Sequence, residues 1–557
     1  MSGETREDLV TTDTARDDLV AGDTTGTGAV AAAAVGLAAI LFALGLAALF
    51  EVVSLTAPLA GVSTVVLLGG LLILLGGAVT TFGLGSRLGY VETEPRASAG
   101  LVVGVVFGGL WFAAAGLFTS QTLGFDTVAW AASATVVGAA ALLASTLTRE
   151  DVGSTVPVGL LTVVTGAVFA FGVIEPGWTW DLGFPSSYTA IFVAEFVVPV
   201  VTLLCALLCG WASAKAYAGF GARGRHTGAY TLVYLNAVSI VLVLFVLVGF
   251  TVLQGFTPMM DGFRVGLGVG PATTVGLFGV ELFTVVWPVD WPFVMNGVGL
   301  TNDFNGVLPA IVGTVWLVVG SVLFAVPLGI GAAVFLTEYA ERGRFTQVVE
   351  VATNGLWSTP SIVFGLFGAA FLVPRFGNTK SLLAGMLTLA FMLLPLVVIT
   401  SREAMLAVPD EYRDASAALG VSKWQTVRSV VLPAALPGVV TGIILGVGRI
   451  AGETAPILLT MTSAPFLGAQ QRADVIGGFE LSWGPPFVAN EALLQATSAL
   501  PYQLYGLITA GVGRSSGLED IETFRWATAL VLLVVVLSFY AVGIGARYYF
   551  RSKLRHD

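Results

Sequence analysis

The chain has 557 residues, of which 56% are hydrophobic and only 11% charged, and its formal net charge is −10. Soluble globular proteins carry about 25% charged residues, so this composition, with a mean hydropathy of +0.89, excludes a soluble protein with a greasy core and places most of the surface in lipid. The excess of acid, with only four lysines among the 25 basic residues, argues against nucleic acid as a partner.

Residues 1–27 are polar and acidic, beginning M-S-G-E-T-R-E-D. They lack the basic start and prompt apolar run of a secretory signal, so they are expected to form a disordered cytoplasmic tail. Twelve runs beyond the tail are long and apolar enough to cross a membrane, at roughly 28–50, 61–84, 98–119, 127–147, 154–174, 187–211, 232–254, 307–335, 350–374, 382–408, 434–459 and 526–546. Cys205 and Cys209 lie four apart in one of these runs with no histidine or acidic cluster nearby. They read as buried small hydrophobes rather than a metal site, and imply no disulfide framework.

Twelve spans put both termini on one side. Loops on that side hold Arg87, Arg96, Arg149, Lys215, Arg223, Arg225, Arg342, Arg344, Arg402, Arg413, Lys423 and Arg428. The opposite side holds Arg264, Arg375, Lys380, Arg472, Arg514 and Arg525. The positive-inside rule therefore predicts a multi-pass plasma-membrane protein with cytoplasmic termini. The short basic stretch Gly221–His226 is the best boundary. Residues 28–225 then form a six-span region with few polar residues inside its spans, read as a packing or anchoring extension. Residues 226–557 form a second six-span region that carries the charged motifs. Two long interruptions, at about 255–306 and 460–525, are expected to be external or partly re-entrant.

After Val408 comes P-D-E-Y-R-D-A-S-A-A-L-G-V-S-K-W-Q-T-V-R-S-V-V-L-P. Pro409 suits a helix start, and Asp410 and Glu411 favour its positive end. Tyr412, Ala415, Ala418 and Leu419 recur on one face. Gly420 ends or bends the helix, Ser422 caps a second one over 423–431, and Pro433 and Pro437 mark the return to the membrane. Two short helices bent at Gly420 are expected over 409–433, either as a docking surface for a partner or as an ordinary interfacial loop.

The next span ends R-I-A-G-E-T-A-P over 449–456. Arg449 and Glu453 share one face of a continuous helix. Gly442, Gly446 and Gly448 allow close helix approach, and Gly452 and Pro456 can open the helix around Glu453. The two charges read either as a buried structural pair or as part of a polar pathway. In the second case Arg449 would attract an anion, Glu453 position or gate it, and Thr454 add a hydroxyl donor.

The spacing of Asp414, Ala415, Ser416, Gly420, Val430, Leu432 and Pro433 resembles the cytoplasmic Glu-Ala-Ala…Gly…Leu-Pro motif of binding-protein-dependent ABC importer permeases, with Asp for Glu and Ser for the second Ala. R-I-A-G-E-T-A-P, L-P-A-I-V-G-T-V-W-L at 308–317, A-V-P-L-G-I-G-A-A-V-F-L-T-E-Y-A at 325–340 and N-G-L-W-S-T-P-S-I-V-F-G-L-F-G at 354–368 closely resemble the PstA-type phosphate-importer permeases of that family. The resemblance covers roughly residues 232–550.

The resemblance implies an all-α polytopic fold: a type I ABC importer permease core with an additional N-terminal helical membrane region. It implies a non-catalytic permease subunit of a phosphate importer, with the motif at 414–433 docking an ATPase and Arg449, Glu453 and Thr454 in the pathway. Its implied partners are a PstC-like permease subunit, a PstB-like ATPase dimer and an extracytoplasmic phosphate-binding protein. The chain has no G-x-x-x-x-G-K-[ST] loop, so no cofactor is expected in it; ATP and Mg belong to the separate ATPases. Permeases for sulfate, molybdate or phosphonate share the coupling motif and are the alternative. An ion-coupled secondary carrier, needing no ATPase, is the remoter one.

Overall fold

The computed structural model describes residues 26–553, except 57, 60, 182–190, 278–279, 299–305, 342, 482, 486 and 510–517. All of the expected acidic tail but its last two residues therefore lies outside the described residues. The chain divides into two compact units, Met1–Leu247 and Val248–Asp557.

The first unit contains α1 (Gly26–Leu49), α2 (Thr64–Arg87), α3 (Leu101–Leu117), α4 (Thr127–Leu147), α5 (Glu150–Ala170) and α6 (Ala194–Tyr217). α7 (Gly221–Met259) begins in this unit and ends in the second, so it runs unbroken past residues 225 and 226. Small residues set the packing. Gly69, Gly76 and Gly83 of α2 recur every seven residues and lie against Gly166, Gly159 and Thr155 of α5 so closely that a Cβ at any of them would collide. In lipid, where burying an apolar side chain gains little, such backbone proximity is what holds helices together. Cys205 and Cys209 of α6 are buried in the same core as free thiols, as expected.

One feature of this unit departs from the loop assignments. Lys215, expected among loop cations, is 1% exposed, and its Nζ lies 2.9 Å from Oε1 of Glu150, which is also 1% exposed. The other oxygen of Glu150 accepts backbone N–H bonds from Arg96 (3.0 Å) and Gly221 (3.2 Å). Next to it Asp151 is fully buried, paired with Arg149 and accepting from Ser86. The helix ends are thus fastened by buried carboxylates, each paired with a cation within the unit.

The second unit contains α8 (Leu308–Val334), α9 (Arg344–Ser358), α10 (Ser361–Phe367), α11 (Leu382–Leu406), α12 (Asp410–Ala418), α13 (Lys423–Thr426), α14 (Leu432–Ala451), α15 (Ala455–Thr460), α16 (Leu500–Thr509) and α17 (Leu518–Lys553). α11 is the most buried, with α8, α14, α10 and α15 packed on it. Strands among the described residues are confined to five two-stranded antiparallel ribbons. The longest, Ala272–Leu277 with Val280–Val286, stands in the first long interruption.

Two of the twelve expected spans are built differently. The run at 350–374 is not one rod: α9 and the α10 segment through Arg375 meet at 101°. Thr359 is extended (φ −67°, ψ 132°) before Pro360, because a proline ring crowds the helical conformation of the residue before it. The pair still carries the chain across. Arg413, just past α11, binds Glu338, just past α8. Both helices therefore finish on one side, whereas α11 is entered from the other. Eleven helices among the described residues are long and apolar enough to span, and the bent pair makes twelve.

The second difference lies at the return from 409–433. No separate helix ends near residue 431. α13 runs through a π-turn, Val427–Val431, straight into α14. The wider turn takes up the site where Pro433 lacks a donor to the preceding turn, so the helix continues instead of breaking.

Candidate coupling and translocation sites

α12 has the ends that its residues dictate. Pro409 precedes it, and Asp410 and Glu411 occupy its first turn. At its far end the N–H of Gly420 donates to Ala417 O (3.0 Å) and that of Val421 to Ser416 O (3.2 Å). This crossed pair of bonds needs a left-handed residue, and Gly420 supplies it with φ +71°. Ser422 then caps α13 in a reciprocal capping box with Gln425.

The two faces of α12 differ. Asp414 and Ala415 are exposed, as is Gly420. Three large apolar side chains stand out on this segment, Tyr412 at 55% exposed, Leu419 at 82% and Trp424 at 57%. Ser416 is instead buried, its hydroxyl donating to Tyr412 O at 3.0 Å. Val430, Leu432 and Pro433 are half-buried. The seven residues that the family resemblance implied as one docking motif are therefore divided among the exposed side of α12 and its turn (Asp414, Ala415, Gly420), the buried side of α12 (Ser416) and the helix leading back into the bundle (Val430, Leu432, Pro433).

Arg413 was not singled out from the sequence, although it directly precedes that motif. Its Nη2 lies 3.0 Å from Glu338 Oε1 and donates to Met405 O at 2.9 Å; its Nη1 donates to Val408 O at 2.8 Å and to Asp410 at 3.1 Å. One planar fork thus joins α12 to the ends of α8 and α11. The available signal was a single basic residue on a helix whose other residues, Tyr412 apart, are small or acidic.

Arg449 occupies the last turn of α14. The helix stops at Ala451, and Gly452–Thr454 separate it from α15, as Gly452 and Pro456 imply. Gly442 and Gly446 bring α14 against Thr400 and Leu393 of α11, and Gly448 meets Tyr540 of α17. Arg449 Nε and Glu453 Oε1 are 3.9 Å apart, an ionic contact beyond hydrogen-bonding distance, with the side chains 33% and 17% exposed. The guanidinium carbon lies 4.4 Å from the ring centre of Trp357 on α9. A ring face attracts a cation without using its N–H groups, so the fork of Arg449 is held in place with donors to spare for an oxyanion. Thr454 stands at the N-cap of α15, its side chain making no capping bond. Lys380 fastens α15 by donating to Leu458 O (2.7 Å) and Thr462 O (3.1 Å). Trp357 and Lys380 also escaped the sequence reading, since both act on residues far along the chain.

The family model for the binding-protein-dependent transport system inner membrane component matches residues 325–556, which include both sites. The phosphate transport system permease protein PstA of Haemophilus influenzae is 33% identical over 252 residues, covering 45% of this chain and 78% of that protein. A PstA 1 of Mycobacterium tuberculosis is 36% identical over 219 residues, covering 37% of this chain and 72% of that protein. Among solved structures, the inward-facing MetNI methionine ABC transporter aligns with a TM-score of 0.32 at 18% identity, covering 43% of this chain and 94% of that one. The first unit lies outside the residues matched by the family model.

Proposed function

The chain belongs to the family of binding-protein-dependent transport system inner membrane components, and from that premise we propose that it is the membrane permease subunit of an ATP-driven inorganic phosphate importer. The observation that carries this reading is the segment 409–426. It is rigidly capped at Gly420 and anchored by Arg413, yet presents Tyr412, Leu419 and Trp424 outward. A soluble partner gains most by covering such aromatic and aliphatic side chains. The partner is a PstB-like ATPase dimer, and ATP and Mg bind there. This chain is non-catalytic.

A PstC-like subunit completes the membrane path, and an extracytoplasmic phosphate-binding protein delivers the substrate. Asp414, Ala415 and Gly420 face the ATPase, with Ser416, Val430, Leu432 and Pro433 supporting them from the membrane side. Arg449 meets the oxyanion on its way through, Glu453 sets the position of that arginine, and Thr454 adds a hydroxyl. Phosphate as the substrate rests on the PstA relatives. The coupling segment and both termini are cytoplasmic, in keeping with the basic residues on that side.

The test is uptake by the reconstituted complex in proteoliposomes, with intact and hydrolysis-dead ATPase subunits and sulfate as competitor. ATP-dependent phosphate uptake that resists sulfate is the expected result. Sulfate uptake in its place overturns the substrate, and phosphate uptake indifferent to the dead ATPase overturns the coupling.

A further inference from the structure

The end of α8 is not α-helical. Phe335–Tyr339 form a π-turn, closed by Ala340 N–H donating to Phe335 O at 2.8 Å. The last two side chains of this turn, Glu338 and Tyr339, meet the coupling segment. Glu338, only 8% exposed, binds Arg413 of α12 through both Nε (3.2 Å) and Nη2 (3.0 Å). The ring of the adjacent Tyr339 lies 5.3 Å from Lys423 Nζ at the start of α13. The two contacts fall on either side of the Gly420 turn.

We propose that this π-turn is the seat of the coupling segment, with Glu338 and Arg413 as the positioning residues that make α12 move as one body with α8 and α11. The inference rests on the importer reading above and deepens it. The seat explains why the fork of Arg413 is spent on its own chain while its neighbours face outward. Arg413 binds a carboxylate on α8, two carbonyls at the end of α11 and Asp410 within α12. A force applied to the exposed face therefore reaches two membrane helices through hydrogen bonds that cannot slide. Lysine carries the charge but not the planar fork, and cannot satisfy these acceptors together.

The experiment compares wild type with Glu338→Gln and Arg413→Lys by two measurements. The first is amide hydrogen exchange over residues 410–421 in the purified full chain, which requires neither partner nor substrate. Both variants are expected to exchange about tenfold faster there, the factor corresponding to about 1.4 kcal/mol. The second is phosphate moved per ATP hydrolysed in assembled proteoliposomes, expected to fall about tenfold while basal hydrolysis and ATPase binding persist. Unchanged exchange overturns the seat. Faster exchange with an unchanged ratio makes the pair merely structural and overturns the positioning role. Failure of the importer reading is recognised separately: wild type then takes up no phosphate with ATP, while exchange still decides whether the seat exists. If Glu338→Gln does not fold, Arg413→Lys alone decides both measurements.

Discussion

Replacing Lys215 by methionine should unfold the first unit at a markedly lower temperature. Lys215 and Glu150 are 2.9 Å apart and each 1% exposed. Unit charges at that distance attract by about 6 kcal/mol at an effective dielectric of 20, and much of this offsets the cost of taking both from water. Methionine fills the same space but leaves Glu150 charged and buried, with only the N–H groups of Arg96 and Gly221 as partners. Removing one member of a buried pair costs about 3–5 kcal/mol. At roughly 2–4 °C per kcal/mol for a unit of this size, the midpoint should drop by about 6–20 °C. The assay is built into the chain: its only two cysteines, Cys205 and Cys209, are buried in this unit, so a thiol-reactive fluorophore reports its unfolding. The double variant Glu150→Gln with Lys215→Met removes both charges and keeps an acceptor for the two N–H groups, and should recover most of the loss. A drop below about 2 °C for Lys215→Met, the behaviour of an exposed pair, would refute the reasoning.

Two further expectations concern the second unit. Gly420→Pro removes the N–H that bonds Ala417 O and cannot adopt φ +71°. It should abolish co-purification of the ATPase at normal membrane yield, whereas Gly420→Ala should cost about 1–2 kcal/mol and only weaken it; retained binding in the proline variant removes the turn from docking. Arg449→Ala should lower phosphate uptake far more than complex yield. Trp357→Leu, which takes away a cation–π contact worth about 0.5–1 kcal/mol, should lower uptake severalfold in the same proteoliposome assay. Undiminished uptake in both places the contact outside the pathway.

The membrane spans were legible because lipid offers no hydrogen bonds: a helical crossing satisfies its own backbone within a long apolar run, and length and composition reveal it. The ends of α12 were legible for a different reason. Pro409, Gly420 and Ser422 act on their own backbone within a few residues, so their effects follow from local geometry. The bend before Pro360 was hidden inside a run apolar enough to pass as one span. Pro433 misled in the opposite direction, since a π-turn let the helix continue through it.

What the amino-acid order determined by itself was the class of protein, the segments that cross and the capped helix between two of them. Tertiary structure decided which charges are buried and which side chains act together. Lys215 looks like any loop cation until folding sets it against Glu150, and Arg413 meets Glu338 across 75 positions. Trp357 comes to Arg449 from another helix in the same way. Caps and spans are settled by neighbours along the chain. Ion pairs, cation–π contacts and glycine seams depend on a partner whose distance is set only when the helices pack.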